Sequence, residues 1–372
     1  MTHSHGTSGV SDADVRVPRT VLIVAAIVYV LLMATAYQRT ARLFVPHAEA
    51  DGGTHQPDGP PRTHTFNAGP YRNAFSAAFA PVLHVNPGDT VRTATLDNLG
   101  VDANGIKQSS PPNPQTGPFF IEGARPGDTL AVTLNAVALN RDSAHSYPRV
   151  VPFALTAAYA SRVRPGQFDA SWRLDREHGV AMLLNPSAHL QGFRVKVRPM
   201  LGGLGVAAPG DQAPLATMLG AWGGNLDYAA VEAGTTVYFP VYHPGALLFL
   251  GDGHAFQGDG ELTGAAIETS LDVEFTVAVV KDEPIDGPRA ENAEFIMAMG
   301  IGDTFPMAFR RATTSLLTWL ERDYQLTTSE SAMVLGAALR YDVAEIVDPQ
   351  IHVVARLAKA LLPPRQERGN GR

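Results

Sequence analysis

Residues 251–261, Gly-Asp-Gly-His-Ala-Phe-Gln-Gly-Asp-Gly-Glu, crowd two aspartates, a histidine, a glutamine and a glutamate into one run. Asp252 and His254 stand two apart, a spacing that on an extended strand puts both side chains on one face. Asp259 and Glu261 repeat that spacing. Carboxylates and an imidazole converging on one point suit a divalent metal ion or general acid–base chemistry. The interspersed glycines let the backbone bend and approach a neighbouring group closely. A Gly-Asp turn with one exposed histidine is the plainer reading of the same run.

Other segments add polar groups. In residues 113–124, Glu122 follows the apolar Phe119, Phe120 and Ile121. A carboxylate beside apolar neighbours has its pKa raised unless it is paired, which suits a general base; capping backbone amides at a turn is the alternative. Asn225 and Asp227 lie two apart after a Gly-Gly pair, and Asp97 sits where a strand beginning near Val91 would end. Residues 198–206 are glycine-rich but lack the Lys and Ser/Thr of a phosphate loop and the pattern of a dinucleotide turn. Asp-x-His is not the helical spacing of zinc proteases, and no Ser occupies a G-x-S-x-G elbow. His145, His178 and His243 are scattered singletons that read as surface or satisfied histidines.

The elements that must position these groups read as short β-type runs broken by Gly and Pro from residue 63 to about 281. Pro-Gly-Asp-Thr recurs at 87–90 and 126–129, with a weaker echo, Gly-Thr-Thr, at 234–236. Pro then Gly suits the centre of a type II turn, so each copy launches a strand, and Asp89 and Asp128 have structural roles. Beyond Pro288 the spacing turns helical over 305–320, and Thr327 to Glu330 has the form of a capping box for a second helix running toward Arg340. A third helix is expected over 352–362. The fold class is mainly β (α+β): a β-sandwich-like body, residues 63–363, β-rich to about 287 and then helical, with a polar tail over 364–372.

Composition excludes other classes. The chain has 372 residues, no cysteine, a net charge of −7 and no basic run, which rules out disulfide or thiolate chemistry and argues against a nucleic-acid partner. Residues 1–44 form a leader whose apolar stretch, 21–37, is flanked by Arg16, Arg19, Arg39 and Arg42. As a helix it would run about 25 Å, close to the thickness of a hydrocarbon core. Ala34-Thr35-Ala36 fits a cleavage signal, whereas the flanking arginines fit an uncleaved anchor. Either way the body is expected to be exported, and membrane-anchored or periplasmic/secreted. Residues 45–62 read as a linker.

Taken together, residues 113–132, 198–207, 223–228, 235–261 and 263–277 resemble the acetamidase/formamidase family in content and order. The resemblance implies a β-rich homo-oligomer that binds a divalent metal and hydrolyses short aliphatic amides to a carboxylate and ammonia. It departs at Gly203, where relatives often carry cysteine, and in the membrane segment, since many members are cytoplasmic. On that basis Asp97, Asp252 and His254 are expected to ligate a zinc-like ion. Glu122 or Glu261 is the expected base, with Asp259 a further catalytic candidate. Asn225, Gln257, Asp227 and Gly253 are expected to contact the substrate. A metal-independent acid–base amidase acting on a larger or cyclic amide, and a non-catalytic binding protein of the same fold, are the alternatives.

Overall fold

The computed structural model describes residues 59–66, 69–163 and 168–365, all within the unit Thr54–Arg372. The apolar stretch 21–37 lies outside them, as do residues 366–372 of the tail. Among the described residues no helix is long and apolar enough to cross a membrane.

Alternating apolar residues make the longest strands. Thr129–Leu139 and Leu271–Val280 pair antiparallel from Leu139↔Leu271 to Thr129↔Val280, in a sheet of nine strands. A second sheet, of twelve, is built around Leu248–Phe256, which pairs antiparallel with Met200–Val206, Gln115–Ile121 and Ile267–Glu268. Leu130, Val132, Phe275 and Val277 from the first sheet share one buried cluster with Leu201, Leu204, Leu248 and Leu250 from the second. Burial of these two apolar faces against each other is the main force holding the sandwich.

The Pro-Gly-Asp turns do what their chemistry requires. Gly88 and Gly127 take φ of +93° and +95°, and the strands Thr90–Ala94 and Thr129–Leu139 start directly after them. Asp89 accepts from the backbone N–H of Arg62 and Asn86 and pairs with His64, while Asp128 takes the N–H of Arg125 and Asp282 and the Lys281 ammonium.

The helix Phe305–Tyr324 buries Leu316, Trp319 and Leu320 against strands Phe295–Gly302 and Ile351–Ala358. Gly300 permits the close approach, because a Cβ there would strike the Ala308 carbonyl and Ala312. Thr328–Ala338 follows, with both halves of its capping box formed between Thr327 and Glu330. The expected third helix is instead the strand Ile351–Ala358 with a 3-10 turn, Lys359–Leu361. That strand is flanked on both edges, by Phe295–Gly302 and by Arg340–Glu345. Both of its faces are also covered, Ala355 and Leu357 by the helix Phe305–Tyr324 and Val354 by the main core, so its apolar run carries no periodicity to separate strand from helix.

Candidate active site

The strand Leu248–Phe256 lies inside its sheet and carries His254 into the core, fully buried. The Nδ1 atom of His254 lies 3.0 Å from Gln257 Oε1. Gln257 is oriented by its amide nitrogen, which donates to the carbonyls of Asp227 and Ala344, so its oxygen faces the ring and the proton sits on Nδ1. His254 Nε2 then points toward Asp252 Oδ1 at 3.5 Å and Glu268 Oε2 at 3.3 Å. All three atoms are buried and make no hydrogen bond. Pairing of Ile267–Glu268 onto the His254 strand sets Glu268 directly opposite the histidine.

Among the described residues two groups could hold a metal ion: Asp252, His254 and Glu268, and Asp227, His254 and Glu261; within each, the ligand atoms lie within 4.8 Å of one another. The charges are mutually perturbing. Burial lowers the His254 pKa, but Glu268 and Asp252 outweigh it and hold the imidazole well above its usual value. Burial pushes Glu268 up to about 7 against the opposing pull of His254, and Asp348 up to about 7 against a hydrogen bond from Asn225. Asp227 and Glu261 are raised well above the usual range, burial again being the largest cause.

A network of amides holds the carboxylates. Asn113 Nδ2 donates to Asn225 Oδ1 and to Asp252 Oδ2, each at 2.9 Å. Asn225 Nδ2 donates in turn to Asp227 and, at 2.9 Å, to Asp348 Oδ2. Asp348 comes from the loop between Arg340–Glu345 and Ile351–Ala358, where its N–H is held by the Glu345 carboxylate. The backbone is strained here. Among the described residues eight non-glycine residues have positive φ, and Asn113, Asp227, Asp252 and Glu261 are four of them, at 45°, 39°, 56° and 47°. Positive φ is uncommon outside glycine, though Asn and Asp accept it most readily, and it clusters where surrounding structure over-determines it, as at binding sites. The cluster opens on a cavity of about 210 Å³ whose wall includes Asn113, Asp252, Glu261, Glu268, Asp348 and Tyr147.

The structure therefore brings together Asp252, His254, Glu261, Asp227, Asn225 and Gln257, and it redistributes the remaining expectations. Asp97 belongs to neither group: its carboxylate takes the Arg141 guanidinium at 2.6 Å and the N–H of Leu99 and Val101. Glu122 lies away from the cavity and pairs with His84 at 2.6 Å at the surface. Asp259 is exposed. Gly253 is a packing position, since a Cβ there would meet the Thr269 carbonyl and Leu271. Asn225 and Gln257 spend their amide hydrogens on Asp227, Asp348 and two backbone carbonyls, so they position the cluster and have no donor left for a substrate. Glu268, Asp348, Asn113 and Tyr147 were not anticipated. Only Glu268 carried a signal, an acid just after Ala265, Ala266 and Ile267 in a strand-like stretch. At Gly203 a Cβ would lie 2.5 Å from the Gln115 amide, so Gln115 occupies the space of any side chain there.

A two-sheet β-rich protein with a buried carboxylate–imidazole cluster is the class that fold and site define. The family model "Acetamidase/Formamidase family" matches residues 217–355. Two solved structures are similar over most of the chain. One is a predicted acetamidase/formamidase from Thermoanaerobacter tengcongensis, with 25% identity and TM-score 0.69, covering 82% of this chain and 97% of that one. The other is the acetamidase from Yersinia enterocolitica, with 26% identity and TM-score 0.69, covering 82% and 94%. A formamidase from Methylophilus methylotrophus is 44% identical over 61 residues, 16% of this chain and 15% of that protein. The matched stretches span 15% and 61% of the lengths of two curated relatives. The chain is thus similar to the acetamidase/formamidase family in sequence over residues 217–355 and to solved members of it in fold over most of its length.

Proposed function

We propose that this chain hydrolyses the C–N bond of a short, formamide- or acetamide-like aliphatic amide to a carboxylate and ammonia. Beyond the similarity to acetamidases and formamidases, one observation carries the reading: Asp252 Oδ1, His254 Nε2 and Glu268 Oε2 are buried, close together and without hydrogen-bond partners beside a small-molecule cavity. Orphaned donors of mixed oxygen and nitrogen type fit a divalent, zinc-like ion held by Asp252, His254 and Glu268. When bound, such an ion lowers the pKa of water toward ~7 and polarises a carbonyl.

The chain's own groups do the rest. Gln257 holds a His254 proton on Nδ1 and so aims Nε2 at Asp252 and Glu268. Asn113 ties down Asp252 Oδ2, so that Oδ1 alone faces the imidazole. Glu261, in the cavity wall, is the proton carrier. Its carboxylate takes a proton from the attacking water, and its acid form returns that proton to the departing nitrogen, a poor leaving group otherwise. Burial favours the acid form.

A metal-independent acid–base route draws support from Glu268, pushed up to about 7, where a general base works best at neutral pH. Metal analysis with chelation and readdition separates the two routes. On the metal reading, His254→Ala loses both bound metal and ammonia release; retention of both sinks it. Export directed by residues 21–37 and assembly into a homo-oligomer complete the proposal. The mass of the exported protein and its sedimentation check them.

A further inference from the structure

The cavity beside His254 has walls of one sign. Every charged side chain that lines it is acidic, Asp252, Glu261, Glu268 and Asp348, and among the described residues no lysine, arginine or histidine lines it. The rest of the wall is uncharged and in part apolar, with Leu99, Pro112 and Tyr147 among its members. Of the basic groups nearby, Arg141 is bound to Asp97 and to the carbonyls of Ser143 and Asp102, His145 lies 3.0 Å from Asn98 Oδ1, and His254 Nε2 faces Asp252 and Glu268; Arg149 is exposed and stacks on the Tyr147 ring, 5.0 Å from its centroid, outside the lining. A carboxylate on a ligand would therefore meet several carboxyl groups inside a partly dry pocket whose lining holds no lysine or arginine to pair with it. A divalent ion held by Asp252, His254 and Glu268 would offset part of this charge, with Glu261 and Asp348 outside its ligand set.

We infer that this site selects its amides by charge: it admits neutral and ammonium-bearing amides and excludes those that carry a carboxylate. The inference rests on the amidase reading and specifies its substrate class. The cavity of about 210 Å³ has room beyond acetamide. At a share of ~30 Å³ per water it matches about seven waters, enough for an acyl group of several carbons. The same field favours departure of the product, since hydrolysis turns a neutral amide into an anion that the wall repels.

Succinamide and succinamate differ only by one carboxamide exchanged for a carboxylate, so they isolate charge from size. Ammonia release by the protein as purified is expected to give a kcat/KM for succinamate at least ~100-fold below that for succinamide, in line with the penalty for like charges at an interface. Asp348→Asn is expected to narrow the ratio about tenfold. A ratio within threefold overturns the inference and leaves the amidase reading standing. If neither compound releases ammonia, nor do formamide and acetamide, the amidase reading fails, and thermal unfolding then decides the charge question alone. Succinamide at millimolar concentration is expected to raise Tm and succinamate to leave it unchanged. An equal or larger rise from succinamate, or none from succinamide, refutes charge selection.

Discussion

Gly202 faces the centre of the site from the neighbouring strand, and replacing it with alanine is the most direct test of the geometry. Its φ is not in the left-handed region, so the backbone tolerates alanine and the effect is steric alone. The new Cβ would lie 2.5 Å from Asp227 Oδ1, 2.7 Å from Asp252 Oδ2 and 2.8 Å from His254 Cε1. None of these is the free end of a flexible chain. Asp227 and Asp252 are held by Asn225 and Asn113, and His254 by Gln257. Restoring ordinary contact at about 3.5 Å moves them by something approaching 1 Å. A shift of ~1 Å at a reacting centre costs on the order of 10²-fold in rate. Overpacking of this kind also costs about 1–3 kcal/mol of stability, which is several degrees of Tm. Gly258→Ala is the control, since a Cβ there meets nothing within 4 Å. Ammonia release, metal content and a thermal scan on both variants make the measurement. If Gly202→Ala stays within threefold of the parent in rate and keeps its Tm, the cluster is not the reacting centre.

Gln257→Leu removes the acceptor at Nδ1, and bound metal is expected to weaken by about 10–100-fold, read by competition with a chromogenic chelator. Asp97→Ala leaves the Arg141 guanidinium buried without its partner. Unfolding free energy is expected to fall by ~3–5 kcal/mol in a denaturant titration, while metal content per folded molecule is unchanged. Burial raises the Asp128 pKa, but Lys281 and the N–H groups of Asp282 and Arg125 outweigh it, so the folded value is the lower one. Its contribution is complete above the unfolded value near ~4 and disappears as pH falls through the folded value. The urea midpoint is therefore expected to drop between about pH 5 and 3, and to drop less in Asp128→Asn. Thr327→Ala removes half of the capping box, for a loss of about 1 kcal/mol with amide turnover unchanged.

Much of this fold follows from local chemistry. Pro-Gly turns, alternation and a capping box are decided within a few residues, so the strands after Asp89 and Asp128 and the two helices could be read directly. The strand Ile351–Ala358 could not, because a helix covers one of its faces and the main core the other, which erases the alternation that marks a strand. The site divides in the same way. Asp252, His254, Gln257 and Glu261 share one run, and their proximity needed no knowledge of topology. Glu268 reaches His254 only through strand pairing, and Asp348 only through a hairpin loop nearly a hundred positions further on. Asp97 and Glu122 looked equally acidic and equally well placed. What separated them was a guanidinium and an imidazole brought from elsewhere in the chain, and sequence spacing says nothing of such partners.

The hairpin that carries Asp348 is also tied to the run that carries His254. Gly260 is stitched to it by backbone bonds to Val343 and Ile346, so the acidic loop cannot drift from the cavity wall without breaking them.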